Sequence, residues 1–293
     1  MGSSPTRPAT FALQRALGLP ACLGSFHYME LDGKTVLLTG ATGGLGRAIG
    51  AALAKRGASL VLTSRKEEAL NDLAASLPGD HRAVAADLGE DGAAERLAAE
   101  AGAVDGLVAN AGLPGTGRVE AFSPDELKRA LRVNLEAPMM LARELAPGMR
   151  ERGDGHLVFV SSLSGKAPSP RSAVYAATKF GLRGFALCLR ADLVDTGVGV
   201  SLVAPGFIRD AGMFADSGAK PPPGMGTSTP KDVATGVVKA IERDKVEVAV
   251  APLQTRALAH LGLASPRIAM RAISGGMASK TADRVAEGQS GKR

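Results

Sequence analysis

The chain has 293 residues, of which 45% are hydrophobic and 22% charged, and it carries a formal net charge of +6. That length suits one large domain with a sizeable core, and no run of eighteen apolar residues marks a membrane span. Tryptophan is absent and aromatics make up only 3% of the chain, which removes the stacking platforms that hold single-stranded nucleic acid. Between Ala251 and Arg293 seven Lys or Arg face two Asp or Glu, so most of the positive excess lies in the tail and nucleic acid is not an expected partner. Two cysteines, Cys22 and Cys188, and four histidines form neither a disulfide framework nor a metal cluster, as in a protein of the reducing cytoplasm.

Residues 1–30 hold Arg7 and Arg15 and a short apolar piece broken by Gly18 and Pro20. They read as a disordered leader, or as sequence upstream of a true start at Met29, rather than as a targeting peptide. From Lys34 strand and helix patterns alternate. Thr35–Thr39 reads as a strand and Leu45–Arg56 as a helix, with a glycine-rich turn between them. In such a unit Gly40 serves the tight turn, Gly44 the close approach of a pyrophosphate, and Gly46 the packing of helix on strand. The phosphates would sit at the positive end of the helix; a glycine turn without a ligand is the alternative. No Gly-Lys-Ser/Thr ending follows, so a nucleoside-triphosphate loop is not supported.

Ser59–Thr63 is the second strand, followed by Ser64-Arg65-Lys66 with no acid before Glu67. An acid there would bind the ribose hydroxyls of NAD, whereas a basic residue accommodates a 2′-phosphate. NADP is therefore expected, with Arg65 as main contact and Ser64 and Lys66 in support; the alternative is an exposed basic pair opening a helix. A helix through Leu77 leads to a strand over His81–Ala86 and then Asp87-Leu88, where Asp87 also reads as an N-cap for a helix starting near Gly89. Asp105–Ala109 is the fourth strand, closed by Asn110-Ala111-Gly112. Ser123-Pro124-Asp125-Glu126 opens the helix that carries Asn134, a residue that in a helix usually bonds its own backbone.

Leu157–Val160 reads as a buried strand leading to Ser162, at the carboxyl end where open α/β sheets bind ligands. Arg171–Thr196 reads as a helix on which Tyr175 and Lys179, four residues apart, share a face. An ammonium so placed favours the phenolate, and together with a cofactor charge it would draw the phenol down from about 10 towards working pH. A phenol tuned in this way exchanges a proton with a carbonyl oxygen. Ordinary surface neighbours show the same spacing. The helix is apolar around more than one stripe, through Phe180, Leu182, Phe185 and Leu189, so a second buried face is expected, with Cys188 as a packing residue rather than a nucleophile.

Val198–Ala204 is a sixth strand, running into Pro205-Gly206-Phe207-Ile208. Ala211–Ser228 has no clear period and reads as a mobile lid over a substrate. Thr229-Pro230 opens a further helix, and Val246–Val250 is the last strand. Leu253–Leu263 and Pro266–Ile273 read as two short basic helices. Packing on the protein is favoured for them over contact with an anionic membrane. Lys280–Arg293 reads as solvated and fraying.

Thr39-Gly-Ala-Thr-Gly-Gly-Leu-Gly46, Asn110-Ala-Gly112, and Ser162 with Tyr175-x-x-x-Lys179 thirteen residues later together resemble the motifs of the short-chain dehydrogenase/reductase family, over Leu31–Pro252. The resemblance implies an α/β, doubly wound Rossmann-type domain with a mainly parallel seven-stranded sheet, followed by a basic helical extension over residues 253–293. It implies an oxidoreductase site of Asn134, Ser162, Tyr175 and Lys179 acting on a small-molecule carbonyl or alcohol, with Lys179 also holding the cofactor ribose and Asn134 anchoring a water that leads protons towards Lys179. The NADP contacts it implies are Gly40, Thr42, Gly44, Leu45 and Gly46 in the first turn, then Ser64, Arg65 and Lys66. They continue with Asp87 at the adenine, Leu88, Asn110, Ala111 and Gly112, and end at Pro205, Gly206 and Ile208. The family pairs the helix equivalent to Arg171–Thr196 across subunits, which implies a homodimer or homotetramer. One departure is Asp210, where the family commonly has a Thr, since a carboxylate is a poor neighbour for cofactor phosphates. Two other readings stay open. One is a 3-oxoacyl carrier-protein reductase, although Arg209 and Lys220 of the lid are matched by Asp210 and Asp216. The other is an NADP(H)-binding regulatory or scaffold protein without turnover, against which an intact set of four site residues weighs.

Overall fold

The computed structural model describes residues 28–222, 224–265, 267, 270, 276–289 and 291. The leader, apart from its last three residues, and most of the expected helix over Pro266–Ile273 lie outside that range.

Seven strands form one sheet: β1 (Thr35–Thr39), β2 (Ser59–Ser64), β3 (His81–Ala85), β4 (Gly106–Ala109), β5 (Gly155–Val160), β6 (Val198–Pro205) and β7 (Glu247–Val250). Every pairing is parallel, in the order β3-β2-β1-β4-β5-β6-β7. The central strands are runs of Val, Leu and Ala buried along their whole length, as parallel strands covered by helices on both faces must be. Side chains alternate between two cores. Leu38, Leu60 and Leu62 face one side with Ile49 and Val237, while Leu37, Val61 and Leu107 face the other with Leu141, Phe159 and Leu182. β2 and β3 lie on one side of β1 and β4 begins the other, so the chain reverses direction across the sheet between β1 and β4. Their carboxyl ends flank the crevice where such folds place ligands.

The covering helices are α1 (Gly44–Ala54), α2 (Glu67–Ser76), α3 (Ala93–Ala101), α4 (Pro124–Leu131), α5 (Ala137–Arg152), α6 (Ala173–Asp192), the short α7 (Met213–Asp216), α8 (Pro230–Glu242), α9 (Leu253–Ala264) and α10 (Gly276–Gln289). Their starts follow the sequence where the caps are strong. The Ser123 hydroxyl accepts from the Glu126 amide and the Glu126 carboxylate accepts from the Ser123 amide, and Thr229 with Asp232 repeats the box at α8.

Three expectations are corrected. α3 begins at Ala93 rather than near Gly89, because Gly92 turns in the left-handed region (φ 68); Asp87 instead closes a local turn, accepting from the Gly89 amide at 2.9 Å. α6 is shorter than Arg171–Thr196, since the left-handed Arg171 (φ 59) precedes it and Asp195 (φ 62) follows it. The end of the chain is not a solvated fray: α10 packs back onto the body, where Asp283 meets Arg171 at 2.7 Å and the Gln289 amide donates to the Met213 carbonyl at 2.9 Å. Cys188 stands exposed on the single chain. Among the described residues no helix is long and apolar enough to cross a membrane.

Candidate active site

The glycine turn is built by contacts that exclude side chains. A Cβ at Gly46 would lie 2.1 Å from the Gly40 carbonyl oxygen, and one at Gly40 would lie 2.9 Å from the Ala111 Cα, so helix, turn and β4 close on one another as tightly as backbone allows. A Cβ at Gly44 would meet the Ala211 Cβ at 2.3 Å, so the start of the lid rests against the turn. Gly43 caps α1 without a side-chain hydrogen bond, which leaves the first amides of that helix for another acceptor. Thr42 turns its carbonyl to Arg47 Nε at 3.1 Å. Asn110 ties β4 to β1: its Nδ2 donates to the Thr39 carbonyl at 3.0 Å, and the Thr39 hydroxyl accepts from the amides of Asn110 and Ala111.

At the end of β2, Ser64 Oγ is buried and has no hydrogen-bond partner, while Arg65 and Lys66 are exposed beside it. An orphaned hydroxyl next to two cations is the donor set that a phosphate ester completes. Burial pushes the Asp87 carboxyl up. Hydrogen bonds from Arg129 and the Gly89 amide, with the charges of Arg129 and Arg65, outweigh that and hold it below its ordinary range. Arg129, which places two contacts of 2.9 and 2.7 Å on that carboxylate, was not singled out in the sequence. Leu88 points into the core under α3, so only its backbone faces outward.

The second cluster gathers at the carboxyl ends of β4, β5 and β6. Ser162 opens a short 3₁₀ turn, Leu163–Gly165, and its hydroxyl accepts from the Ser164 amide at 3.1 Å. The turn lies against α6 so closely that a Cβ at Gly165 would stand 2.6 Å from the Lys179 carbonyl oxygen. This brings Ser162 to Tyr175: burial pushes the phenol up to about 12, and a hydrogen bond from Ser162 pulls the other way. Lys179 Nζ sits 5.6 Å from the centre of the Tyr175 ring and donates to the Val160 carbonyl at 3.1 Å. Burial lowers that lysine to about 8. The drop expected of the phenol needs a cofactor's charge as well as the ammonium, and without the cofactor burial dominates. Both groups are enclosed, and the loss of water around each outweighs their attraction.

Asn134 lies in a π turn, Arg132–Glu136, between α4 and α5, a local widening that recurs where helices serve a site. Its side chain does not bond its own helix. Oδ1 accepts from the Leu113 amide at 2.7 Å and Nδ2 donates to the Leu113 carbonyl at 2.9 Å. A Cβ at Gly112 would lie 3.3 Å from that Oδ1 and 3.9 Å from Lys179 Nζ, so Gly112 leaves the space in which amide and amine approach.

Ser162, Tyr175 and Lys179 share one cavity of about 290 Å³ with Asn110 and with Pro205, Gly206 and Ile208 after β6, whereas Asn134 is not among the residues that line it. The lid begins there: Ile208 bridges to Ser228, and the exposed Asp210, left-handed at φ 74, lies 3.5 Å from Arg209 Nε. Phe207, just before the lid, and Phe214 within it pack with ring centres 4.7 Å apart and planes tilted by 52°. The cavity also takes in residues to which no sequence motif points, among them Leu258 of α9 and Ala282, Val285 and Gln289 of α10. The spacing of the last three puts them on one helix face, the only local sign that the tail has an inward side.

A wholly parallel doubly wound sheet, a glycine-lined crevice at its switch point, and a Ser–Tyr–Lys cluster beside it define a nucleotide-dependent oxidoreductase of the α/β class. The model of the short chain dehydrogenase family matches residues 34–221, and the chain belongs to that family, whose members are oxidoreductases that use a nicotinamide cofactor. It is 40% identical over 227 residues to the ketoacyl reductase HetN of Nostoc sp., covering 75% of this chain and 79% of that one. Among solved structures it is similar to a metagenomic short-chain oxidoreductase in complex with NADP, at 34% identity and a TM-score of 0.64, covering 76% of this chain and 99% of that one. It is also similar to a short-chain dehydrogenase from Sphingobium yanoikuyae in complex with NADPH, at 26% identity and a TM-score of 0.70, covering 76% and 90%.

Proposed function

We propose that this protein transfers a hydride between NADP(H) and a carbonyl/alcohol pair bearing an apolar substituent. The observation that carries the reading is the Ser162–Tyr175 hydrogen bond beside Lys179, inside a cavity that opens onto the glycine turn. The uncapped start of α1 suits the pyrophosphate of either dinucleotide, while the orphaned Ser64 hydroxyl beside Arg65 and Lys66 supports NADP over NAD, as do the relatives solved with NADP and NADPH.

In this reading the glycine turn and the amides opening α1 hold the pyrophosphate, Arg65 with Ser64 and Lys66 the 2′-phosphate, and Asn110–Gly112 with Pro205, Gly206 and Ile208 flank the nicotinamide end. When bound, NADPH supplies the hydride to the carbonyl carbon. Ser162 hydrogen-bonds the reacting oxygen and Tyr175 gives it a proton. The phenol is protonated at neutral pH, so it can donate to a carbonyl oxygen. Lys179 holds the cofactor ribose and the charge beside the phenol. Asn134 fixes the Gly112–Leu113 segment beneath Lys179 and orders the proton path there.

The relative named a ketoacyl reductase favours a second reading, with a 3-oxoacyl thioester as substrate. We place the protein in the cytoplasm as a homodimer or homotetramer, the exposed Phe180 and Cys188 of α6 and Met139 of α5 being covered by a second copy. Tyr175→Phe tests the site. Turnover of ketones, aldehydes and acyl thioesters, followed by loss of NADPH absorbance, should fall by about 10²-fold or more while NADPH still binds. Full activity in that variant would end the assignment.

A further inference from the structure

α10 lies beyond the residues matched by the family model, yet it supplies one side of the cavity. Ala282, Val285 and Gln289, on one helix face, line the space opposite Leu258 of α9 and Phe214 and Met225 of the lid. The helix is held there by several contacts, among them a hydrogen bond from the Thr281 hydroxyl to the Lys220 carbonyl at 3.4 Å. Asp283 pairs with Arg171, two residues before the start of α6, at 2.7 Å. The Gln289 amide donates to the Met213 carbonyl at 2.9 Å. Gly288 presses on the lid so closely that a Cβ there would stand 2.8 Å from the Ser217 Cα. Only an amide NH₂ can donate to a carbonyl, so the orientation of Gln289 is fixed by chemistry. Its Oε1 is then buried without a partner. That hydrogen bond, which strands one acceptor, gains little net stability by itself.

We infer that α10 is the specificity wall of the pocket: Ala282 and Val285 bound the apolar end of the substrate, and Gln289 clasps that wall to the lid. This deepens the carbonyl-reduction reading above and rests on it. The facing side chains are aliphatic or aromatic, and the two α10 residues are small. The substrate class is therefore ketones whose carbonyl carries a compact branched or cyclic hydrocarbon group, in preference to ketones with only short substituents. A single methylene in such a wall changes selectivity by about tenfold or more.

The test compares kcat/KM for cyclohexyl methyl ketone with that for 2-butanone. Ala282→Phe should lower this ratio by about tenfold or more, and Val285→Ala should shift preference towards a larger adamantyl methyl ketone. Arg284→Phe places the same ring on the exposed side of the helix and should leave the ratio as it was. A ratio unchanged in both the Ala282 and Val285 variants overturns the inference. If the wild-type protein oxidises NADPH with neither of these ketones nor with any aldehyde or acyl thioester, carbonyl reduction itself fails. Where neither ketone is turned over, the wall is read from saturation-transfer NMR of cyclohexyl methyl ketone: a transfer signal that disappears in Ala282→Phe supports it, and one that persists in every variant overturns it. The clasp is read separately with Gln289→Glu, which cannot donate to the Met213 carbonyl. Faster hydrogen exchange across residues 276–289 is expected, and unchanged exchange removes the clasp.

Discussion

Lys166 Nζ lies 3.0 Å from Glu247 Oε2, with the lysine side chain only 2% exposed. The same carboxylate accepts from Arg183 Nε at 3.1 Å. Lys166 follows the Ser162 turn and Arg183 lies one helical turn beyond Lys179, so one carboxylate of β7 braces both segments that carry the site.

Removing Glu247 leaves a buried ammonium unpaired, a change that costs about 3–5 kcal/mol in comparable sites. Glu247→Ala should therefore lower the melting temperature by roughly 6–15 °C in a domain of this size. Scanning calorimetry measures it, and a melting point within about a degree of wild type would show that the brace contributes nothing to stability.

The two buried titrating groups give stability a signed pH dependence. Lys179 is lowered to about 8 from 10.5. Below the folded value both states hold the proton and the full cost of burying the ammonium is present. Between about 8 and 10.5 only the unfolded chain keeps it, so this group's contribution to stability rises with pH, by about 3 kcal/mol across the window. Tyr175 acts in the opposite sense. Between about 10 and 12 the unfolded chain loses a proton that the folded chain keeps, so stability falls there. Urea unfolding of the cofactor-free protein from about pH 7 to about pH 10 should show the rise in wild type and its loss in Lys179→Met; parallel curves would contradict the assignment.

Arg65→Ala should weaken NADPH far more than NADH, because only the former carries the 2′-phosphate. A hydrogen bond to a charged group is worth about 1.5–3 kcal/mol, or roughly 10–150-fold in Kd. Fluorescence titration with both cofactors decides it. Equal losses for the two would move Arg65 out of the phosphate site.

Gly46→Ala places its methyl 2.1 Å from the Gly40 carbonyl and 2.7 Å from that of Ala41, backbone atoms that cannot rotate away. Overpacking of this kind costs roughly 1–3 kcal/mol. Denaturant unfolding should show that loss together with weaker NADPH binding, and a variant as stable as wild type would mean the turn is looser than its contacts.

The strands and most helices were legible in the sequence because their signals are local: unbroken apolar runs for buried parallel strands, glycines at the first turn, and capping boxes at Ser123 and Thr229. The Ser162, Tyr175 and Lys179 cluster was legible for the same reason, since four residues on a helix fix two side chains relative to each other. Where a local signal had two meanings, as at Asp87 and near Gly89, the backbone of Gly92 decided, and the reading of the helix start failed.

Three features belong to the tertiary structure alone. The phenol and the amine are displaced by enclosure rather than by each other, because the spacing that brings them together says nothing about the water excluded around them. The Glu247 brace joins residues far apart in the chain, so no local pattern announces it. And Ala282, Val285 and Gln289 share a face in any helix, but only the folded chain determines which surface receives that face. The sequence by itself determined the strands and the spacing of Tyr175 and Lys179; long-range packing decided how far burial shifts those two groups and which residues of the tail reach the cavity.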